Sequence, residues 1–209
     1  MNITHAVDEE VKGDKLKAIF DRQKELMEKY HDIELKSGLM QTEQCPVNLD
    51  DKKGQARIKD FSWRVIEEVG EALDALEQDD MVHYSEELID GLHFLTELTI
   101  LSGYDYNSFF DVEYKDCLSM LIDDASNFSC INDAVSKLVK DLGMMCNCLK
   151  NKPWKQTNMV TDKSLFFSQL NKVWRNYIGL LNFTLTCDDI VNIYLKKSQV
   201  NKFRQRSNY

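Results

Sequence analysis

The chain has 209 residues, enough to bury a sizeable core as one domain, or as one domain carrying an insertion. Its 26 Lys+Arg against 35 Asp+Glu give a net charge of −9, which argues against general binding to a nucleic-acid phosphate backbone. Apolar residues at 43% and charged residues at 29% exclude a disordered chain, and no run of about 18 apolar residues is present to span a membrane.

The N-terminal stretch MNITHAVDEEVKGDK is polar and acidic and has no apolar segment of a secretory signal. Together with six cysteines, this predicts reduced thiols in a cytoplasmic protein. Cys146 and Cys148 form a CxC, but no second Cys or His pair stands at zinc spacing.

Two prolines and eight glycines interrupt long stretches of 3.6-residue periodicity, which predicts an all-α fold. In chain order the helices are expected at 12–36, 54–78, 81–102, 106–122, 130–150, 162–185 and 188–205. Gly38 and Pro46 bracket a polar first loop, Gly103 suits the end of the third helix, and Asn151, Lys152 and Pro153 break the chain again. The whole of 1–209 reads as a single domain. Within it, 104–186 is less patterned and rich in aromatics such as Phe109, Phe110, Tyr114, Phe166 and Phe167. That stretch is either additional core or a lobe over a site.

The most informative segment is FSWRVIEEVGEALDALEQDDMVHYSEELIDGLHFLTEL. Glu68 and Glu71 are three apart on the second helix, and Glu87 and Asp90 are three apart on the third. Residues at that spacing share a helix face. Asp90 falls on one stripe with Phe94, Leu98 and Leu101, with Glu87 beside it. Glu68 borders the stripe of Val65, Val69, Ala72, Leu73 and Leu76, and Glu71 lies next to Glu68. Four carboxylates therefore converge on one helix–helix interface. Burying them uncompensated is very costly, and Arg64 is the nearest basic residue on these faces. A hard divalent cation such as Mg²⁺, which also takes substrate phosphates, is the better counter-charge. The plain alternative is a pair of solvated helix faces, which Glu67, Glu77, Glu86 and Asp79 fit well. Trp63 is expected in the core.

EEVGE followed by EELID resembles the ExxE…ExxD signature of the MazG-like nucleoside triphosphate pyrophosphohydrolases. SWR before the first pair and His93–Phe94 after the second resemble the dimeric, all-α dUTPases and the related phage dCTPase. The terminal YLKKSQVNKFRQRSNY is similar to that group's closing motif through Tyr194, Lys197, Asn201, Phe203, Arg204, Gln205 and Tyr209. Gln23 and Leu26 resemble its first motif. The likeness covers about 15–36, 60–103 and 188–209. It departs at Met27, where the dUTPases usually carry an Asn near the base, at Ser198, where the motif has Asn, and at Asn208, where it has Gly.

The resemblance implies a MazG-like helical bundle with an inserted lobe at 104–186, assembled as a homodimer. It implies Mg²⁺-dependent hydrolysis of dUTP to dUMP and pyrophosphate, with dCTP, both pyrimidines, or a broader set of deoxynucleotides as the alternatives. Glu68, Glu71, Glu87 and Asp90 would be the metal ligands, and Glu68 or Glu71 would also activate the water. Lys197, Asn201, Arg204 and Tyr209 would meet phosphates and sugar. The first three share a helix face at i, i+4, i+7, although a solvated basic tail fits the same pattern. Gln23 would meet the base, Asp74 would extend the ligand set or touch the sugar, and His93 would border the site as partner of a ligand carboxylate or be a satisfied core histidine. A deoxynucleoside triphosphate and a second copy of the chain are thus the implied partners, with neither nucleic acid nor membrane. The reading from another class is a non-catalytic helical module that binds a nucleotide or a protein.

Overall fold

The computed structural model describes residues 11–110 and 115–206 and holds seven helices and no strand among them. They are α1 (Lys15–Ser37), α2 (Lys52–Glu77), α3 (Met81–Leu101), α4 (Cys117–Asp123), α5 (Ile131–Cys148), α6 (Lys163–Leu181) and α7 (Cys187–Arg206). Aspartates start most of them. Asp14, Asp51, Asp80, Asp116 and Asp162 each accept a hydrogen bond from a backbone N–H of the following first turn. A short side-chain acceptor satisfies a donor that has no partner within the helix and also suits the positive end of the helix dipole.

α2 and α3 form an antiparallel hairpin joined by Gln78, Asp79 and Asp80, with Asp79 in the left-handed region at φ 61°. α3 is the central helix and packs against α1, α2, α6 and α7. Its sequence is apolar nearly all round, as a helix enclosed on several sides requires. Gly103 follows the α3 cap at φ 87°, and its N–H donates to the Ile100 carbonyl at 3.0 Å. α6 enters the same core: Trp174 stacks on Phe20 at 5.9 Å, and its indole N–H donates to Thr99 Oγ1 at 2.8 Å. α5 pairs with α6, where Asn176 donates to the buried Asp141 carboxylate at 2.8 Å. No described helix is long and apolar enough to cross a membrane.

The helix expected at 106–122 is not formed as such. Within the described residues it reduces to α4, Cys117–Asp123. Asp105 and Ser108 account for the start of the difference. The Tyr106 N–H donates to the Asp105 side chain, the Asp105 N–H donates to Ser108 Oγ, and the Ser108 N–H donates to the Asp105 carbonyl, each at 2.9 Å. These local bonds give the backbone a turn in competition with the helix. Tyr114 lies outside the described residues.

Candidate active site

The hairpin brings the two acidic pairs together. One carboxylate oxygen each from Glu68, Glu71 and Glu87 lies within 4.8 Å of the others. Glu87 is buried, Glu68 half-buried and Glu71 exposed, so the cluster runs from the helix interface out to solvent. Burial raises the Glu68 carboxyl well above its ordinary range, and the charges of Asp90, Glu71 and Glu87 push the same way. A buried acid surrounded by acids holds its proton unless a cation replaces it. The ligand set is all hard oxygen on two rigid helices, which fits a divalent ion of the Mg²⁺ type.

The close approach of the helices depends on Gly91. A Cβ there would lie 2.2 Å from Tyr177 Oη and 3.3 Å from Glu68 Cβ. Tyr177 uses that space to donate from α6 to the Leu88 carbonyl at 2.7 Å.

Asp90 is partly buried in the same cleft as Glu68 but carries a different partner. Lys197 from α7 places its Nζ 2.5 Å from Asp90 Oδ2 and donates to the Glu86 carbonyl at 3.1 Å. The nearest basic residue expected from the sequence, Arg64, is engaged elsewhere. It pairs with Asp60 at 3.1 Å, and its guanidinium lies 4.8 Å from the centre of Phe61 and 5.6 Å from that of Phe94. Burial raises the Asp90 carboxyl to about 6, against the pull of Lys197. On the same helix as Asp90, His83 Nδ1 lies 3.0 Å from Glu87 Oε1.

Beside the cluster is a cleft of about 310 Å³ lined by residues that include Gln23, Phe61, Glu68, Asp90, His93, Phe94 and Asn201. Gln23 is buried and held at both ends. Its amide donates to Glu97 at 2.9 Å. Its carbonyl accepts from the Tyr194 hydroxyl at 2.8 Å and faces His93 Nδ1 at 2.9 Å. His93 stacks on Tyr194 at 3.7 Å, and burial lowers its pKa to about 3, so the ring is neutral. Its Nδ1 then carries the proton toward the Gln23 carbonyl, and Nε2 has no partner among the described residues. The partner of His93 is therefore Gln23, not a carboxylate of the cluster. These partners on α3 and α7 hold the Gln23 amide in one orientation. Glu97 is buried too, with Arg57 at 4.0 Å, and burial raises its carboxyl to about 7.

A larger cleft of about 440 Å³ shares Glu34 and Glu97 with the first but takes in none of the acidic cluster. Met27 lines this second cleft together with Met40, Cys45 and Ile100. Asp74 is exposed one turn beyond Glu71 and bonds Gln78 at 2.6 Å. Asn201 reaches the first cleft from α7. The side chains of Arg204 and Gln205, and Asn208 and Tyr209 entirely, lie outside the described residues. Trp63 is not in the core: the residue is 62% exposed and its indole N–H donates to Glu67 at 2.9 Å. The α2 stripe of Phe61, Val65 and Val69 turns Trp63 outward with Glu67 and Gly70.

Sequence reasoning missed His83, Tyr177, Glu97 and the pairing of Lys197 with Asp90. Of these, His83 was accessible to it, standing four before Glu87 on one face. The others depend on contacts between helices far apart in the chain. Comparison with curated proteins and with solved structures finds no match. A family model described as dUTPase matches residues 15–209. That match runs from the first residue of α1 through the acidic hairpin to α7, and the chain belongs to the all-α dUTPase family, whose members are metal-dependent nucleotide pyrophosphatases.

Proposed function

We propose that the chain is a Mg²⁺-dependent dUTP diphosphatase, releasing dUMP and pyrophosphate, and that it works as a homodimer. The observation that carries this reading is the convergence of Glu68, Glu71 and Glu87 within 4.8 Å, beside a cleft lined by Asp90, in a chain of the dUTPase family.

Clustered carboxylates repel a polyanion, so these acids accept a triphosphate only with cations between. Mg²⁺ held there lowers the pKa of water and neutralises developing phosphate charge. Glu68, Glu71, Glu87 and Asp90 hold the ion. Glu68 or Glu71 orients the attacking water and takes its proton. Lys197 and Asn201 sit one turn apart on α7 and meet phosphate and sugar, with Arg204 and Tyr209 completing that side. Phe61 and Phe94, edge to face at 6.2 Å, give the cleft an apolar wall for the pyrimidine.

Pyrophosphate release from a panel of deoxynucleoside triphosphates, with Mg²⁺ and with EDTA, tests the reading. dUTP turnover that requires Mg²⁺ is expected. Turnover unchanged by EDTA, or no turnover of any pyrimidine nucleotide, would overturn it.

A further inference from the structure

Lys197 is usually the kind of residue assigned to a substrate phosphate, yet here its ammonium is already taken. It lies 2.5 Å from Asp90 Oδ2, donates to the Glu86 carbonyl at 3.1 Å, and has the Glu86 carboxylate at 3.9 Å. Only 13% of its side chain is exposed. The contact joins α7 to α3 at the carboxylate that stands apart from the close trio Glu68, Glu71 and Glu87.

We propose that Lys197 is a built-in counter-ion of Asp90 that competes with the divalent ion for this carboxylate, and that triphosphate binding relieves the competition by drawing the ammonium away. The inference rests on reading the acidic cluster as a cation site.

Three features support it. An ammonium and a divalent ion sharing one carboxylate oxygen stand within a few ångströms of each other and repel, so one must yield. The lysine stem is flexible and ends in a point charge with three donors, so Nζ can change partners without α7 moving. Asn201, one turn further on, already lines the cleft, so the same helix face reaches the space that phosphates would fill. The consequence is reciprocal coupling. A triphosphate that engages Lys197 frees Asp90 for the cation, and a cation on Asp90 frees Lys197 for the triphosphate. The lysine thereby makes nucleotide and metal bind together rather than singly.

The test is calorimetric titration of Mn²⁺ into the full chain, stripped with EDTA and free of nucleotide. Wild type, Lys197→Met and Lys197→Arg are compared, each also in an Asp90→Asn background. Lys197→Met is expected to bind Mn²⁺ about tenfold or more tightly than wild type, because a nearby positive charge is gone. Lys197→Arg, which keeps the charge, is expected to stay within about threefold of wild type. With Asp90→Asn the gain from Lys197→Met should vanish, since its route is that carboxylate. Lys197→Gln carries the same expectation if the Met variant melts early. Mn²⁺ binding by wild type that Lys197→Met leaves unchanged or weakens would overturn the inference alone, as would a gain that survives Asp90→Asn. Absence of Mn²⁺ binding in every variant would overturn the cation-site reading and this inference with it.

Discussion

Glu71 and Asp90 stand at opposite ends of the proposed ligand set, one exposed and one beside Lys197. Replacing either with Ala is expected to lower kcat by about a hundredfold or more while leaving the helical circular dichroism intact. Near-normal turnover in either variant would place the site elsewhere. Their effects on stability should differ. Glu71→Ala relieves repulsion among acids, whereas Asp90→Ala strands a Lys197 ammonium that is mostly covered, which is the costlier change. For base choice, Met27 stood out as the residue in the place of an Asn. It lines the cleft with Met40 and Cys45 rather than the one with Glu68 and Asp90. Met27→Asn is therefore expected to change the dUTP/dCTP ratio of kcat/KM by less than about threefold, because no new hydrogen bond reaches the pyrimidine. A tenfold shift toward dUTP in competition assays would show that the base is read from the Met27 side.

At the scale of the element, the α2–α3 hairpin carries the proposed metal ligands, and Gly91 sets how closely α6 can approach it. Gly91→Ala puts a methyl carbon 2.2 Å from Tyr177 Oη, so the hydroxyl must leave its bond to the Leu88 carbonyl. The expected loss is about 1–3 kcal/mol from overpacking, with an unsatisfied polar group added. Removing the obstructing atom should restore part of it. The double variant Gly91→Ala/Tyr177→Phe is expected to be more stable than the sum of the single changes predicts. Chemical denaturation of the four proteins measures this, and simple additivity would show that the contact is not the source of the cost.

For the whole molecule, the buried acids make stability depend on pH in an unusual direction. Burial raises Asp90 from 3.8 to about 6, and it raises Glu97 from 4.5 to about 7, with Glu34 adding to the shift and Arg57 opposing it. An acid whose folded pKa exceeds its unfolded one keeps a proton that the unfolded chain has lost, so stability falls as pH rises between the two values. With EDTA present, the unfolding free energy should decline from about pH 4 to about pH 7 by about 3 kcal/mol for each of these two groups, with Glu68 carrying the decline on toward pH 8, and Tm should fall with it. Glu97→Gln should flatten that slope, and an unaltered slope would mean that Glu97 titrates as an ordinary acid. The assembly is the other property at this scale. Light scattering at micromolar concentration is expected to give twice the 24.4 kDa chain mass. A monomer that hydrolyses nucleotide at the same rate would refute the homodimer.

The all-α class, most of the helix starts and the two acidic pairs were legible in the sequence because each depends on residues within a turn or two of one another. Aspartate before an apolar-periodic run caps its own helix, and i,i+3 spacing puts Glu68 with Glu71 and Glu87 with Asp90 whatever surrounds them. The expected helix from 106 failed for an equally local reason, the turn held by Asp105 and Ser108. What the tertiary structure decided was which face meets which neighbour. Trp63 was expected in the core, but it lies off the Phe61 and Val65 face of α2, which is the face the other helices cover. Gln23, His93 and Tyr194 come from three separate helices, so nothing in their spacing foretold that they hydrogen-bond one another. Lys197 reads as a tail lysine until α7 is laid on α3, where its charge meets Asp90. Helical periodicity gives the direction of a side chain about its own axis, whereas partners distant in the chain are selected by how the helices pack.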